Sequence, residues 1–188
     1  MEAALGWIGA IFEWLGRFLP RWDLVRANEK GVKYLPGGRT KVLEPGIRWY
    51  WPATTEVVVA PVCRQVLNAQ GQALMTKDHK PVYASGLVIY SVEDIHIFLV
   101  DNFDAEASLD DVLQTAIRNA IVTRTFDEIQ EDLAEINRLL TRETKKVLRD
   151  FGVKVEAARL TEFSLSQVFN VVGNGLTQLN VSGAPPAL

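Results

Sequence analysis

The first nineteen residues are the part of this chain that most restricts what it can fold into. Besides Met1 they contain nine large apolar side chains, and only Glu2, Glu13 and Arg17 are charged. On a helical wheel the two glutamates and the nearby glycines form one narrow stripe on an otherwise apolar cylinder. A helix of this kind needs lipid or several protein neighbours around it. The side chains predicted to enter a membrane are Leu5, Trp7, Ile8, Ile11, Phe12, Trp14, Leu15, Phe18 and Leu19.

Three kinds of membrane segment compete for this pattern: a transmembrane span, a helix half-immersed in one leaflet, and a signal peptide that is later removed. The acidic start and a core that ends in Arg17, Pro20 and Arg21 argue against a signal peptide. A span would place Glu13 in hydrocarbon at a cost of roughly 2.5 kcal/mol, unless helices packed along the glycine stripe covered it. The span and the half-immersed helix therefore both stay open, beside the alternative of a soluble helix docked on its own domain.

Basic residues follow this segment at short intervals. Arg21, Arg26, Lys30 and Lys33 come after Pro20, and Trp22 stands where an interfacial aromatic residue would be placed. Positive charge on this flank predicts, by the positive-inside rule, that the following domain lies on the cytoplasmic face of the membrane.

Composition excludes several classes of protein. A chain of 188 residues can form one compact domain or two small subdomains that share a core. Its charged fraction of 23% and net charge of −3 are those of an ordinary globular protein, and they give no basic field for DNA or RNA. The single cysteine, Cys63, excludes an intrachain disulfide and a zinc site of paired cysteines. We expect Cys63 to be a small buried core residue.

The central part of the chain predicts an α+β fold. Between residues 29 and 90, runs of β-branched and aromatic residues alternate with Pro-Gly and polar turns, which indicates a small, mostly antiparallel sheet. Helix start signals follow at Ser108 and Thr125, and the second opens a helical stretch that ends at a glycine cap, Gly152. The predicted strands are 31–35, 47–51, 56–59, 81–90 and 153–160.

Charge is segregated along the helical stretch that begins at Thr125. Acidic residues come early and basic residues late, an order that complements the helix macrodipole at about 0.3–1 kcal/mol per charge. The same order suits a head-to-tail contact in which the acidic end of one subunit meets the basic end of the next. The residues predicted for this subunit interface are Glu128, Glu131, Asp132, Glu135, Arg138, Arg142, Lys145 and Arg149.

No set of residues in the sequence predicts catalysis or metal binding. His79 and His96 have no metal-ligand spacing, and Asp78 beside His79 lacks a nucleophile. The glycines after Pro36 are without the lysine and hydroxyl residue of a phosphate loop, so they predict a hairpin turn. We therefore expect neither a cofactor nor a metal, and a protein that is not an enzyme.

Short motifs occur in a fixed order from Val25 to Phe169. They are Asn28-Glu29-Lys30-Gly31-Val32, Gly37-Gly38-Arg39, Glu44-Pro45-Gly46-Ile47, Trp51-Pro52, Thr76-Lys77-Asp78, Tyr90-Ser91-Val92-Glu93-Asp94, Arg124-Thr125-Phe126-Asp127-Glu128-Ile129, Ile136-Asn137 and Phe151-Gly152-Val153. Together they resemble the SPFH, or Band 7, domain of the stomatin, prohibitin and flotillin family.

This resemblance implies a two-lobed domain that is attached to a membrane through its N-terminus and assembles into large homo-oligomeric rings or cages. It implies a scaffold that organises a membrane microdomain, with an accessory subunit of a membrane protease or channel as the alternative. It also implies that an apolar loop of the first lobe enters the lipid, for which Trp49, Tyr50 and Trp51 are the candidates; a core strand is the competing interpretation of these aromatics.

The resulting domain division is a membrane segment at 1–22, a β-rich lobe at 23–91, a second lobe of helices and a strand at 92–169, and a short tail at 170–188. Most members of the family that the chain resembles continue into a long coiled coil, whereas the glycines and prolines of this tail exclude heptads. The apolar tail residues predicted to pair as a strand between subunits are Val171, Val172, Leu176, Leu179 and Val181.

Overall fold

A computed structural model describes residues 21–166, 169–172 and 175–178. Its strands are β1 (Arg21–Val25), β2 (Glu29–Leu35), β3 (Arg39–Leu43), β4 (Gly46–Tyr50), β5 (Glu56–Pro61), β6 (Gln65–Met75), β7 (Pro81–Val92), β8 (Val153–Leu165), β9 (Phe169–Val172) and β10 (Gly175–Gln178). Its helices are α1 (Ala105–Val122), α2 (Phe126–Glu131) and α3 (Leu133–Leu148), with a π-helical turn at Ile97–Asp101 and a 3-10 turn at Arg149–Phe151.

The described strands and helices form an α+β fold, as predicted. Four small sheets are present in the orders β1-β4, β3-β2-β5, β6-β7-β8 and β10-β9. The pairs β1–β4, β2–β3, β2–β5, β6–β7 and β9–β10 are antiparallel. The apolar segment 1–20 lies outside the described residues, and among the helices that are described none combines the length and the hydropathy needed to cross a bilayer.

The chain divides into two compact units, each built from separated stretches of sequence. The described part of the first unit is 21–64, 91–105 and 150–154, and the second contains 65–90, 106–149 and the described residues from 155 onward. The predicted lobes 23–91 and 92–169 differ from this division. The reason is that β6 and β7 form a sheet with β8, so residues 65–90 belong with the helical part of the chain.

A close backbone contact at Gly152 organises the first unit. The Gly152 carbonyl accepts hydrogen bonds from the backbone N–H groups of Glu93 and Asp94, both at 2.9 Å. Gly152 has a φ of 75°, and a Cβ at this position would lie 2.6 Å from the Asp94 carbonyl oxygen. Only glycine meets both conditions without strain, which explains the glycine in the Phe151-Gly152-Val153 motif. Gly152 ends the helical region after the 3-10 turn, whereas the C-cap of α3 itself is Arg149.

The second unit has a continuous aliphatic core. Helix α1 places Leu109, Leu113, Ile117 and Ile121 at helical spacing, and all four are fully buried. A Cβ on Gly86 of β7 would lie 2.7 Å from the Ile117 side chain, so α1 packs directly over the middle of that strand. Helix α3 buries the face that carries its apolar residues Ile136, Leu140 and Leu148.

Several local predictions need correction. Helix α1 begins at Ala105, directly after Asp104, and so Ser108 lies inside the helix rather than at its start. The stretch after Thr125 is two helices, because the backbone of Asp132 leaves the helical region and its side chain caps α3 by accepting from the Glu135 amide. Cys63 is exposed rather than buried, since it lies in the connection that follows β5.

The described part of the tail forms a two-stranded antiparallel sheet. Strand β9 pairs antiparallel with β10, with Val172 opposite Gly175 and Val171 opposite Leu176. The pairing of this region between subunits stays a prediction, because a two-stranded sheet leaves an edge at which a strand of another copy can add. Leu179 and Val181 lie outside the described residues.

Candidate functional site

The β1–β4 ribbon of the first unit has an exposed apolar face. Its register pairs Trp22 with Trp49 and Leu24 with Ile47, and since side chains alternate along strands, these four lie on one side. Their exposed fractions are 70% for Trp22, 63% for Leu24, 67% for Ile47 and 59% for Trp49. We call this set of four residues the apolar face. Single exposed apolar residues are common on proteins, but four on one face of a two-stranded ribbon form a patch.

Two tryptophans give the apolar face a defined shape. The rings of Trp22 and Trp49 lie edge to face, with their centroids 5.3 Å apart and their planes at 67°. Trp51, which follows the end of β4, is 52% exposed. These exposures exclude a packed core for Trp49 and Trp51, which was the competing interpretation of the aromatic run.

Tyr50 differs from its two neighbours. It is half-buried and, because side chains alternate along β4, it points away from the face that carries Trp49. Strand alternation thus separates Tyr50 from the tryptophans with which the sequence had grouped it.

Basic side chains surround the ribbon, and several of them have partners. Lys33 donates a hydrogen bond from Nζ to the Trp49 carbonyl oxygen at 3.3 Å. Lys30 pairs with Glu44 at 3.2 Å, and Arg26 approaches Glu29 at 3.8 Å. Pairs this exposed are worth only about 0–1 kcal/mol each, so the basic residues can exchange these partners for an anionic surface at little cost.

The acidic residues predicted for the interface gather at the junction of α2 and α3. Glu128, Glu131, Asp132 and Glu135 line a cavity of about 280 Å³ there, together with Arg124 and Ile136. We call this the acidic corner. Two of its residues also serve the fold: Glu128 closes a capping box with Thr125, and Asp132 caps α3. The hydrogen bond from the Thr125 amide is the main cause that lowers the pKa of Glu128.

Three of the predicted basic residues line a groove between α3 and β8. Arg138, Arg142 and Lys145 surround a cavity of about 430 Å³ whose lining includes Ala157 and Ala158. Arg159, which sequence analysis missed, belongs to the same groove. We call this set of four cations and two alanines the basic groove. Arg149 caps the C-terminus of α3 and does not line it.

Two polar side chains hold the basic groove together. Thr141 of α3 accepts from the Ala158 amide at 3.0 Å and donates to the Ala158 carbonyl at 3.1 Å. Asn137 accepts from the Leu160 amide at 2.8 Å. The outer edge of β8 is therefore satisfied by α3 at these positions, which fixes the helix against the strand. The exposed Arg159 lies on the same strand, β8. Its place beside the cations of α3 cannot be predicted from the residues next to it in the sequence.

The Thr76-Lys77-Asp78 motif is a polar clamp on α2. The Asp78 carboxylate accepts from the Thr76 hydroxyl at 2.5 Å and from the Phe126 amide at 3.1 Å, and pairs with Lys80 at 3.1 Å. The Thr76 hydrogen bond is the main cause that lowers the pKa of Asp78 to about 2; partial desolvation opposes it, and bonds from Lys80 and the Phe126 amide add to it. A carboxylate in this position satisfies an amide at the first turn of α2.

The two histidines have separate surroundings. His79 takes a φ of 60° in the turn between β6 and β7, and His96 shares a 2.9 Å hydrogen bond between Nε2 and the Thr40 hydroxyl. Among the residues that the structure describes, no three His, Cys, Asp or Glu side chains are grouped so that they could hold a metal ion.

The family model described as SPFH domain / Band 7 family matches residues 24–173. The chain belongs to this family. It is 24% identical to mouse stomatin over 64% of the chain and 43% of stomatin. It is 26% identical to a stomatin homologue of Pyrococcus horikoshii over 76% of the chain and 53% of that protein. A protein of Archaeoglobus fulgidus is 24% identical over 86% of the chain and 65% of its own length. The chain thus spans less than two thirds of the length of these relatives.

Proposed function

We propose that this chain is a membrane-attached, homo-oligomeric scaffold that organises a patch of bilayer. The observation that carries the proposal is the apolar face of the β1–β4 ribbon, in which two tryptophans are more than half exposed. The membership of this chain in the SPFH family, with stomatin among its relatives, supports the same function. Such a protein acts through attachment and assembly rather than through catalysis.

The apolar face suits the boundary between hydrocarbon and headgroups. Tryptophan is enriched at this depth because its large ring is apolar while its N–H can stay hydrated. Strand β1 begins at Arg21, immediately after the apolar segment 1–20, so the ribbon and that segment enter the same membrane surface in our proposal. With the basic side chains nearby, this arrangement favours the cytoplasmic leaflet.

We further propose that neighbouring copies join through α3, with the acidic corner of one copy meeting the basic groove of the next. The two regions lie toward opposite ends of a 16-residue helix, which is about 24 Å long. A contact between different surfaces of identical subunits is heterologous, so it either closes into a ring or extends as a filament.

Vesicle flotation tests the membrane contact. Replacing Trp22 and Trp49 together by serine should weaken vesicle binding by more than about tenfold, since burying one large apolar side chain is worth about 1.5–3 kcal/mol. Phe103→Ser is the control, because Phe103 is a fully exposed aromatic outside the ribbon. Deleting 1–19 should reduce binding further. Undiminished flotation of both the deletion and the double variant would refute the proposed attachment.

Charge reversal tests the assembly. One variant carries Glu131→Arg and Glu135→Arg, the other Arg142→Glu and Lys145→Glu; the capping residues Glu128 and Asp132 are left intact. Each variant alone should lose the large particle in low salt, because two of the four charges on one contact surface are reversed and no longer attract the other surface. An equimolar mixture should restore the particle, since the reversed side chains of one variant then face the reversed side chains of the other.

Particle mass in mild detergent is the measurement, and Glu162→Arg and Lys154→Glu are the controls, because both residues are exposed on β8 outside the basic groove. Assembly that survives in each reversed variant would exclude this contact. A stoichiometric second protein in the purified particle would instead favour the accessory role at a protease or channel.

A further inference from the structure

A cavity of about 590 Å³ lies in the first unit, where β2 and β4 end and a turn leads into β5. Its wall includes Tyr34, Tyr50, Thr54, Thr55 and Glu56. The sequence predicted no site at these residues, because they come from three strands and a turn that are separate along the chain.

The wall is held by specific contacts. Tyr34 and Glu56 are directly opposite each other in the β2–β5 pair, so their side chains lie on the same side of that sheet. The Tyr34 hydroxyl donates to the Leu99 carbonyl at 3.0 Å, which fixes the position of the ring. The amides of Thr54 and Thr55 both donate to the Trp51 carbonyl, at 3.1 and 2.9 Å, and close the turn.

The chemistry of the wall favours a cation. Glu56 is the one formally charged residue among the ten described residues that line the cavity. Within the described part of the chain, no ion pair or side-chain hydrogen bond neutralises its carboxylate. The faces of tyrosine rings carry negative potential, and tyrosine rings that lie beside a carboxylate bind ammonium groups through cation–π attraction. An anion such as phosphate would instead be repelled by Glu56.

The position of the cavity narrows the choice of cation. Tyr50 follows Trp49 along β4 and points to the other side of the ribbon. If the tryptophans lie at the hydrocarbon boundary, Tyr50 falls within the headgroup layer, which is about 5–7 Å thick on each side. An ammonium group of a phospholipid lies at this depth.

We propose that this cavity binds the ammonium headgroup of a zwitterionic phospholipid such as phosphatidylcholine. The inference rests on the proposed membrane contact and adds a lipid preference to it. Tyr34 and Tyr50 face the cation, and Glu56 neutralises its charge.

Binding to two kinds of uncharged vesicle tests the preference. Phosphatidylcholine presents an ammonium group and digalactosyldiacylglycerol does not, so the full chain should bind phosphatidylcholine about 3–5-fold more tightly. Glu56→Gln and Tyr50→Leu should abolish the difference, whereas Tyr50→Phe should keep it because the ring remains. Glu93→Gln, an exposed carboxylate outside the cavity, is the control.

The outcomes separate the inference from the proposed function. Equal binding of the unaltered chain to both vesicles would overturn the headgroup site and leave the membrane contact standing, while failure to bind either would remove the contact itself. A preference that survives in Glu56→Gln and Tyr50→Leu would place the recognition elsewhere and overturn the inference.

Soluble probes identify the chemistry. Choline should shift the NMR signals of the cavity residues more than its neutral isostere 3,3-dimethylbutanol, which matches its shape without the charge. Equal shifts from both would mean apolar filling only and would overturn the inference. Stronger binding of N-acetyl-lysine amide than of choline would indicate the lysine of a protein partner, and would exclude the lipid as the source of the ammonium group.

Discussion

The two compact units use their apolar side chains in opposite ways. Of the twelve largest fully buried side chains among the described residues, ten belong to the second unit, and the first contributes Val25 and Val32. Both units also expose single large apolar side chains, but the first unit groups four of them on one side of a ribbon, as the apolar face. Burial of apolar side chains stabilises the second unit, which carries the acidic corner and the basic groove. The first unit keeps exposed apolar area that a membrane can cover.

Truncating one leucine in each unit tests this difference in burial. Leu113→Ala should lower the free energy of unfolding by about 2–5 kcal/mol, because it opens a cavity in a fully buried core. Leu24→Ala should change it by less than about 0.5 kcal/mol, since that side chain is already largely in water. Urea unfolding followed by circular dichroism measures both. Similar losses from the two variants would mean that the apolar face is packed in the folded protein.

Two glycines of the first unit test how much a close backbone contact adds to the cost of a substitution. Gly38 and Gly152 share a φ of 75°, but a Cβ on Gly38 meets nothing within 4 Å, whereas one on Gly152 meets the Asp94 carbonyl. Gly38→Ala should cost about 1 kcal/mol for its backbone conformation alone. Gly152→Ala should cost at least about 1 kcal/mol more, because the carbonyl it meets is backbone and cannot turn aside. Equal melting temperatures for the two variants would show that the contact at Gly152 relaxes freely.

The smallest expected effect is on the polar clamp of the second unit. The pKa of Asp78 is lowered to about 2 in the folded protein, against an ordinary value of about 3.9. The carboxylate therefore stabilises the fold fully above about pH 4, and this contribution is lost as the pH falls toward 2. Asp78→Asn should lower the melting temperature by a few degrees at pH 7, and the difference from the unaltered chain should shrink between pH 4 and pH 2. A difference that does not change with pH would assign the effect to shape rather than charge.

Features that depend on a few neighbouring residues could be predicted from the sequence. The capping box at Thr125 and Glu128 and the end of the helical region at Gly152 were both found in advance, because each satisfies backbone groups or a backbone conformation close by. The break between α2 and α3 at Asp132 was missed, because the residues on either side, Glu131 and Leu133, favour a helix and a single capping aspartate is a weak signal. Strands β1, β3 and β6 were also missed. The first two are short and mostly exposed, and β6 carries an irregularity between Ala69 and Gln72.

The residues of the candidate sites divide in the same way. The sequence predicted one common role for Trp49, Tyr50 and Trp51, but only the two tryptophans are mostly exposed. Tyr50 is half-buried, because it points to the other side of β4. Arg159 could not be grouped with Arg138 and Arg142, because the hydrogen bonds from β8 amides to Thr141 and Asn137 of α3 span about twenty residues of chain.

The family, the α+β class, the order of the charges along α2 and α3, and the glycine that ends the helical region could all be derived from the residues alone. The grouping of strands into sheets, the positions of Trp22 and Leu24 opposite Trp49 and Ile47, and the exposure of Cys63 follow from the folded structure. The difference arises because caps and turns form through hydrogen bonds between residues close in the sequence, whereas burial depends on which distant surfaces come together.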